Sequence, residues 1–110
     1  MAQFMKGDII VVPFPFSDLT QAKRRPALIL AELAGDDRIL CQITSQKVSD
    51  RYAIKLDDSD LESGGLKQKS NIRPNRIFTC DIQLILYRVG HMKHFKLDEV
   101  IEKVVEIIRS

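Results

Sequence analysis

The chain has 110 residues, 45% of them hydrophobic and 29% charged, with a formal net charge of +2. These figures exclude a disordered chain and a histone-like basic protein, and the length suits one domain, residues 1–110, around one core. No run of about 18 apolar residues exists, so no membrane span is expected, and the amino terminus lacks the apolar stretch of a secretory signal. A cytoplasmic protein is therefore expected, with Cys41 and Cys80 as buried free thiols.

In chain order, Ile9 to Val12 is a β-branched run that reads as a buried strand within Asp8 to Phe14. Pro13 and Pro15 donate no ladder hydrogen bond, so that strand ends or lies on an edge there. Ser17 to Gln21 is the first loop. Lys23, Arg24 and Arg25 then stand at a loop-to-strand junction before the strand Ala27 to Leu33. Gly35-Asp36-Asp37 is a turn, and Ile39 to Thr44 a third strand. Tyr52, Ile54 and Leu56 alternate with Ala53 and Lys55, the period of a half-exposed strand. Residues 57–65 form an acidic turn. Asn71 to Arg73 and Arg76 to Cys80 are two short strand segments interrupted by Pro74, and Leu84 to Val89 is a strand or a short helix. Leu97, Val100, Ile101, Val104 and Ile108 recur at helical spacing, with Val105 and Ile107 widening the apolar side. Asp98 and Glu99 fall in the expected first turn and Arg109 in the last, as the helix dipole favours. The expected fold is mainly β (α+β), a small antiparallel barrel with a C-terminal amphipathic helix.

Charge is uneven along the chain. Cations collect at Lys23 to Arg25 and again at Lys67, Lys69, Arg73 and Arg76, with no acidic residue between Leu66 and Cys80. Carboxylates collect at Asp57, Asp58, Asp60 and Glu62. One basic face that meets a polyanion accounts for this pattern, and so do ordinary solvated loops. There is no metal motif: His91 and His94 have no cysteine or acidic cluster beside them. Glycine-rich phosphate loops and nucleophile elbows are likewise missing. Chemistry, if present, rests on arginine, hydroxyl and amide groups. Arginine matches phosphate oxygens with a planar pair of donors.

Four segments in order resemble the MazF/PemK family of toxin endoribonucleases. They are Gly7-Asp8 with the following strand through Pro13-Phe14-Pro15-Phe16-Ser17-Asp18-Leu19, Lys23 to Leu30, Ile43-Thr44-Ser45-Gln46, and Ser70 to Thr79. The resemblance implies an SH3-like barrel, a homodimer, metal-free and cofactor-free cleavage of single-stranded RNA, and a cognate antitoxin whose flexible acidic-apolar tail covers the RNA groove. It places the catalytic arginine on Arg25 and the catalytic threonine on Thr44. Arg73 matches a position that assists catalysis or substrate binding in one branch of the family. Lys23, Arg24, Lys67 and Lys69 are candidates for tracking the RNA backbone, and Gln46 and Asn75 for contacting base edges. Phe14 and Phe16 are candidates for base stacking, core packing or dimer contact. One branch of the family carries a general-base carboxylate two residues after the assisting arginine; here that place holds Asn75. The first loop has no histidine and lacks the glycines of many relatives. Two further function classes share the architecture: a non-catalytic nucleic-acid-binding module and a gyrase-poisoning toxin.

Overall fold

The computed structural model describes residues 3–14 and 23–110. The expected first loop, with Pro15 and Phe16, lies outside the described residues. The strands are β1 (Asp8–Phe14), β2 (Lys23–Glu32), β3 (Asp37–Thr44), β4 (Ile54–Leu56), β5 (Leu61–Gly64), β6 (Ser70–Asp81) and β7 (Tyr87–Met92), followed by helix α1 (His94–Arg109). Short 3₁₀ turns lie at Asp58–Asp60 and Ile82–Leu84. The strands form one sheet in the order β4-β6-β3-β2-β1-β7-β5, every described pairing antiparallel.

Alternation along the central strands fills both faces of this sheet. Ile9, Leu28, Leu30, Cys41, Ile43 and Ile72 join one apolar cluster, which α1 covers with Leu97 and Val100. Ile10, Val12, Ala27, Ile29 and Leu40 point the other way and meet Cys80 and Ile85. A strand buried on both sides reads as a continuous apolar run, which is why Ile9 to Val12 and Ala27 to Leu30 carry no polar residue. Register shifts occur between Ile9 and Ile10, Ile29 and Ala31, Cys41 and Gln42, and Leu61 and Ser63. Each such irregularity bends its strand and adds twist. Together they curl the sheet into a half-barrel, which with one C-terminal helix matches the expected mainly β, barrel-like class.

Several boundaries differ from the sequence expectation. β2 begins at Lys23, so Lys23, Arg24 and Arg25 belong to the strand itself, paired with Phe14, Pro13 and Val12. The 71–73 and 76–80 segments are one strand. Ile77 stands opposite Cys41 and Arg73 opposite Gln42, so residues 74–76 bulge out of the ladder. Pro74 therefore sits where no ladder donor is needed. The acidic turn also contains the edge strand β5. The 84–89 stretch divides between a 3₁₀ turn and β7, which runs on to Met92. Helix α1 starts at His94, so Asp98 and Glu99 lie beyond its first turn, while Arg109 is in the last. Its apolar side is only partly used: Val105 and Ile108 are exposed. Cys41 and Cys80 are free and buried, and burial pushes the Cys41 thiol up to about 12.

Candidate functional site

The end of the sheet where β2 begins and β3 ends opens into a groove of about 490 Å³. Arg24, Arg25 and Lys67 line it, with Thr44, Ser45, Gln68 and Ser70, over an apolar floor of Val11, Pro26, Ile43 and Val89. The lining holds three cations and, among the described residues, no carboxylate. An anion entering it therefore meets attraction without opposing charge.

Sheet geometry sets the Arg25 and Thr44 positions. Ala27 stands opposite Gln42 in the β2–β3 register. Side chains alternate along strands, so Arg25 and Thr44 are cross-strand neighbours on the Ala27 side, whereas Arg24, Pro26 and Ile43 reach the groove from the other face at this end of the sheet. Pairing of Val12 with Arg25 and of Val11 with Pro26 ties the cationic segment to the buried strand β1. Arg25 is half-buried and Arg24 exposed, so the two cations meet different solvent. The Thr44 Oγ1 accepts the Gln46 N–H at 3.2 Å. That bond occupies one lone pair of the hydroxyl and leaves its hydrogen for an acceptor in the groove.

The Lys67 wall is set from elsewhere. β5 approaches β7 so closely that a Cβ on Gly90 would lie 2.4 Å from the Ser63 carbonyl oxygen, and one on Gly64 2.2 Å from that of Val89. Only glycine permits this approach, and Gly64 also has φ +84°. Next in the chain, the Leu66 N–H donates to Asp58 Oδ1 at 2.8 Å. Asp57 and Asp60 cap the 3₁₀ turn reciprocally. The acidic cluster thus holds the 65–69 segment in place. The Ser59 hydroxyl and N–H, then Lys69 and Lys96, hold the Asp57 carboxyl below the usual carboxylate range.

The structure brings together Arg24, Arg25, Thr44 and Lys67 of the expected site residues. Lys23 is exposed at the start of β2, opposite Phe14. Gln46 lies in the turn after β3, its carbonyl accepting from Asn71 Nδ2 at 3.1 Å. Lys69 sits outside the groove, beside Asp57. Arg73 is engaged within the fold, its guanidinium 3.0 Å from Asp50 Oδ2. The Asp50 carboxylate also accepts the N–H groups of Tyr52 and Ala53 at 2.9 and 3.1 Å. Asn75 lies in the β6 bulge and lines a second pocket with Phe14, Gln42, Arg76, Ile77 and Phe78. Tyr87 lines the main groove and is 47% exposed. The sequence signal for it was weak, because it lies within the 84–89 stretch of undecided structure. Ser45 and Ser70 lie in segments the sequence had singled out, though with no role of their own, and Gln68 was hidden, because nothing local marks a polar loop residue as groove-facing.

A second constellation lies at the far end of β1. The Asp8 side chain is fully buried, accepts the Met5 N–H at 2.8 Å and bonds His91 Nδ1 at 2.8 Å, with Arg88 at 3.5 Å. It joins β1 to β7 and lies outside the groove. Among the described residues no group of three or more His, Cys, Asp or Glu side chains could hold a metal ion, and no helix is long and apolar enough to cross a membrane.

The model of the PemK-like, MazF-like toxin of type II toxin-antitoxin systems matches residues 5–108. No curated protein sequence matches the chain. Among solved structures, MazF from Deinococcus radiodurans is similar at TM-score 0.74 and 17% identity, with 100% of each chain covered. A mycobacterial endoribonuclease in complex with its cognate antitoxin aligns at TM-score 0.73 and 11% identity, over 96% of this chain and 95% of that one. The Mycobacterium tuberculosis toxin MazF-mt6 aligns at TM-score 0.70 and 17% identity, over 93% and 96%. At these identities the structures establish the fold.

Proposed function

We propose, given that this chain belongs to the PemK-like, MazF-like toxin family of type II toxin-antitoxin systems, that it is an endoribonuclease whose basic groove holds single-stranded RNA for cleavage. The observation that carries the reading is the groove itself: Arg24, Arg25, Thr44 and Lys67 line one cavity that has no carboxylate among its described residues. A polyanion is the ligand that such a lining favours. Within that reading the substrate is a single strand, whose bases are open to reading.

In the proposed reaction the ribose 2′-oxygen attacks the adjacent phosphorus, and the bond from phosphorus to the 5′-oxygen breaks. The products are a 2′,3′-cyclic phosphate and a 5′-hydroxyl. The 2′-hydroxyl proton passes to solvent, and the leaving 5′-oxygen gains one. Negative charge grows on the phosphoryl oxygens in between. Arg25, held by the pairing of β2 with β1, aims a fixed guanidinium at that charge, so its attraction strengthens as the transition state forms. Thr44 donates its hydroxyl hydrogen to the same phosphate and positions it. Arg24 and Lys67 follow the flanking phosphates. No resident metal is required in this scheme.

The same groove suits the acidic-apolar tail of an antitoxin, since its cations lie beside Val11, Leu66, Tyr87 and Val89. A homodimer acting in the cytoplasm completes the proposal. The test is digestion of a long single-stranded RNA in EDTA, followed by mapping of new ends. Discrete 5′-hydroxyl ends are expected, and RNA that is bound yet left uncut would overturn the proposal.

A further inference from the structure

A row of side chains crosses the sheet from the groove toward its β4 edge, and the proposed cleavage step uses only the first part of it. Arg25 and Thr44 are cross-strand neighbours, Thr44 stands opposite Asn71, and Asn71 stands opposite Lys55. Alternation keeps these four on one face, since Ile54 and Leu56, on either side of Lys55, turn into the apolar cluster that α1 covers. Lys55 is thus two strand spacings from Thr44, about 10 Å. At this end of the row lies a pocket of about 390 Å³, lined by Lys47, Lys55, Lys69 and Asn71. Ser45 and Ser70 line both this pocket and the groove, so the two adjoin. Asn71 Nδ2 donates to the Gln46 carbonyl at 3.1 Å, which ties the 45–47 segment to β6 and brings Lys47 into the pocket. Three ammonium groups here meet one carboxylate, Asp57, and Lys69 is a cation acting on that carboxylate. Lys47 and Lys55 are exposed and make no ion pair among the described residues.

From this row and this pocket we infer that Lys47 and Lys55 form a second phosphate subsite, which clamps one backbone phosphate of the RNA beside the cut. With the scissile phosphate at Arg25 and Thr44, the strand crosses β3 and β6 toward β4, at right angles to the sheet strands, and its next phosphates arrive over Asn71 and Lys55. The lining favours backbone over base. No aromatic ring lines the pocket among the described residues, and Leu56 is its one apolar side chain. A base finds no stacking platform there. An ammonium group is a compact point charge with rotatable donors, which suits a phosphate and carries no sequence information. The same lining disfavours an acidic-apolar protein tail, whose apolar residues would meet almost no apolar wall. The subsite therefore adds affinity and fixes the path of the strand without adding specificity. It rests on the reading of the chain as a ribonuclease.

The test compares the full wild-type chain with the double variants Lys47→Gln/Lys55→Gln and Lys47→Arg/Lys55→Arg, each shown to be folded by its melting curve. In the first arm, fluorescence anisotropy follows binding of a mixed-sequence single strand across a salt series. The strand is 2′-O-methylated throughout, so it keeps its phosphates and cannot be cut. The double Gln variant should lower the log–log salt slope by about 0.7 and weaken binding about fivefold at low salt, while the double Arg variant keeps both. In the second arm, a neutral methylphosphonate replaces each phosphate in turn on either side of a mapped cut. One position should weaken wild-type binding about fivefold and leave the double Gln variant unchanged, because the charge removed has already lost its partners. A polyglutamate peptide is the rival ligand. A double Gln variant that keeps the wild-type slope, that responds to every methylphosphonate as wild type does, or that loses the peptide but not the RNA would overturn the subsite while leaving the ribonuclease reading intact. If the strand is bound but RNA is never cut, the ribonuclease reading fails and the first arm alone decides the subsite. A wild type that binds no strand sinks both.

Discussion

Replacing Arg25 by Ala should nearly abolish cleavage while leaving the fold intact. The residue is half-buried and its backbone is paired with Val12, so its charge is screened less than that of a fully exposed arginine. Removing one preorganised donor from a developing oxyanion costs about 3 kcal/mol, which is a loss of about 10²-fold in single-turnover rate. Lysine should not restore it, because a point charge lacks the planar pair of donors. Thr44→Val removes one hydrogen bond to a charged group, about 2 kcal/mol, and should slow cleavage by about 30-fold; Thr44→Ser should stay close to wild type. Arg24 and Lys67 provide the contrast. Both are exposed groove residues assigned to flanking phosphates, so alanine at either should reduce the log–log salt slope of RNA binding by about 0.7. The assay is single-turnover cleavage of a labelled RNA in EDTA across a salt series, with melting curves to show that each variant is folded. An Arg25→Ala protein that cuts at the wild-type rate, or that merely changes the salt slope as Arg24→Ala does, would refute the assignment.

Other consequences concern the scaffold. Asp8→Asn should destabilise the protein by about 3 kcal/mol in urea unfolding, because it breaks a fully buried carboxylate contact with His91 Nδ1 at 2.8 Å. Gly90→Ala puts a Cβ 2.4 Å from the Ser63 carbonyl oxygen. It should cost about 2 kcal/mol and raise the RNA dissociation constant by displacing the Lys67 wall. The Asp57 carboxyl is held below its usual range in the folded state, so its contribution is present above the unfolded value, about 4, and is lost as pH falls through the folded one. The stability advantage of wild type over Asp57→Asn should therefore be constant at neutral pH and shrink in acid unfolding series. Burial pushes the Cys41 thiol up to about 12, so a thiol reagent at pH 8 should label it only on unfolding, at a rate that follows urea concentration.

How much was legible in the sequence depends on the range of the interaction involved. Strand identity was legible where a continuous apolar run or strict alternation marks burial, as at Ile9 to Val12 and Ile54 to Leu56, because those patterns are local. The terminal helix was legible from its period, but its start was not. His94, Phe95 and Lys96 are polar or exposed, so no burial pattern announces the first turn. Pro74 by its residue type is incompatible with a regular ladder. That β6 continues past it through a bulge depends on the β3 partner, which no local rule names. Arg25 and Thr44 were legible as chemistry by residue type and order. Their sharing of a groove required the β2–β3 register.

The sequence by itself determined the strand-rich fold, the terminal helix, the absence of a cationic excess and the residue types able to bind phosphate. All of these follow from composition and short-range periodicity. Tertiary structure alone decided which cations converge. Arg24, Arg25 and Lys67 reach one groove, while Arg73 is tied to Asp50 and Lys69 lies beside Asp57. It also decided that Gly64 and Gly90 carry the Lys67 wall. The physical reason is that charge and hydrogen-bonding capacity belong to single residues, whereas their neutralisation depends on neighbours that chain folding brings from distant positions.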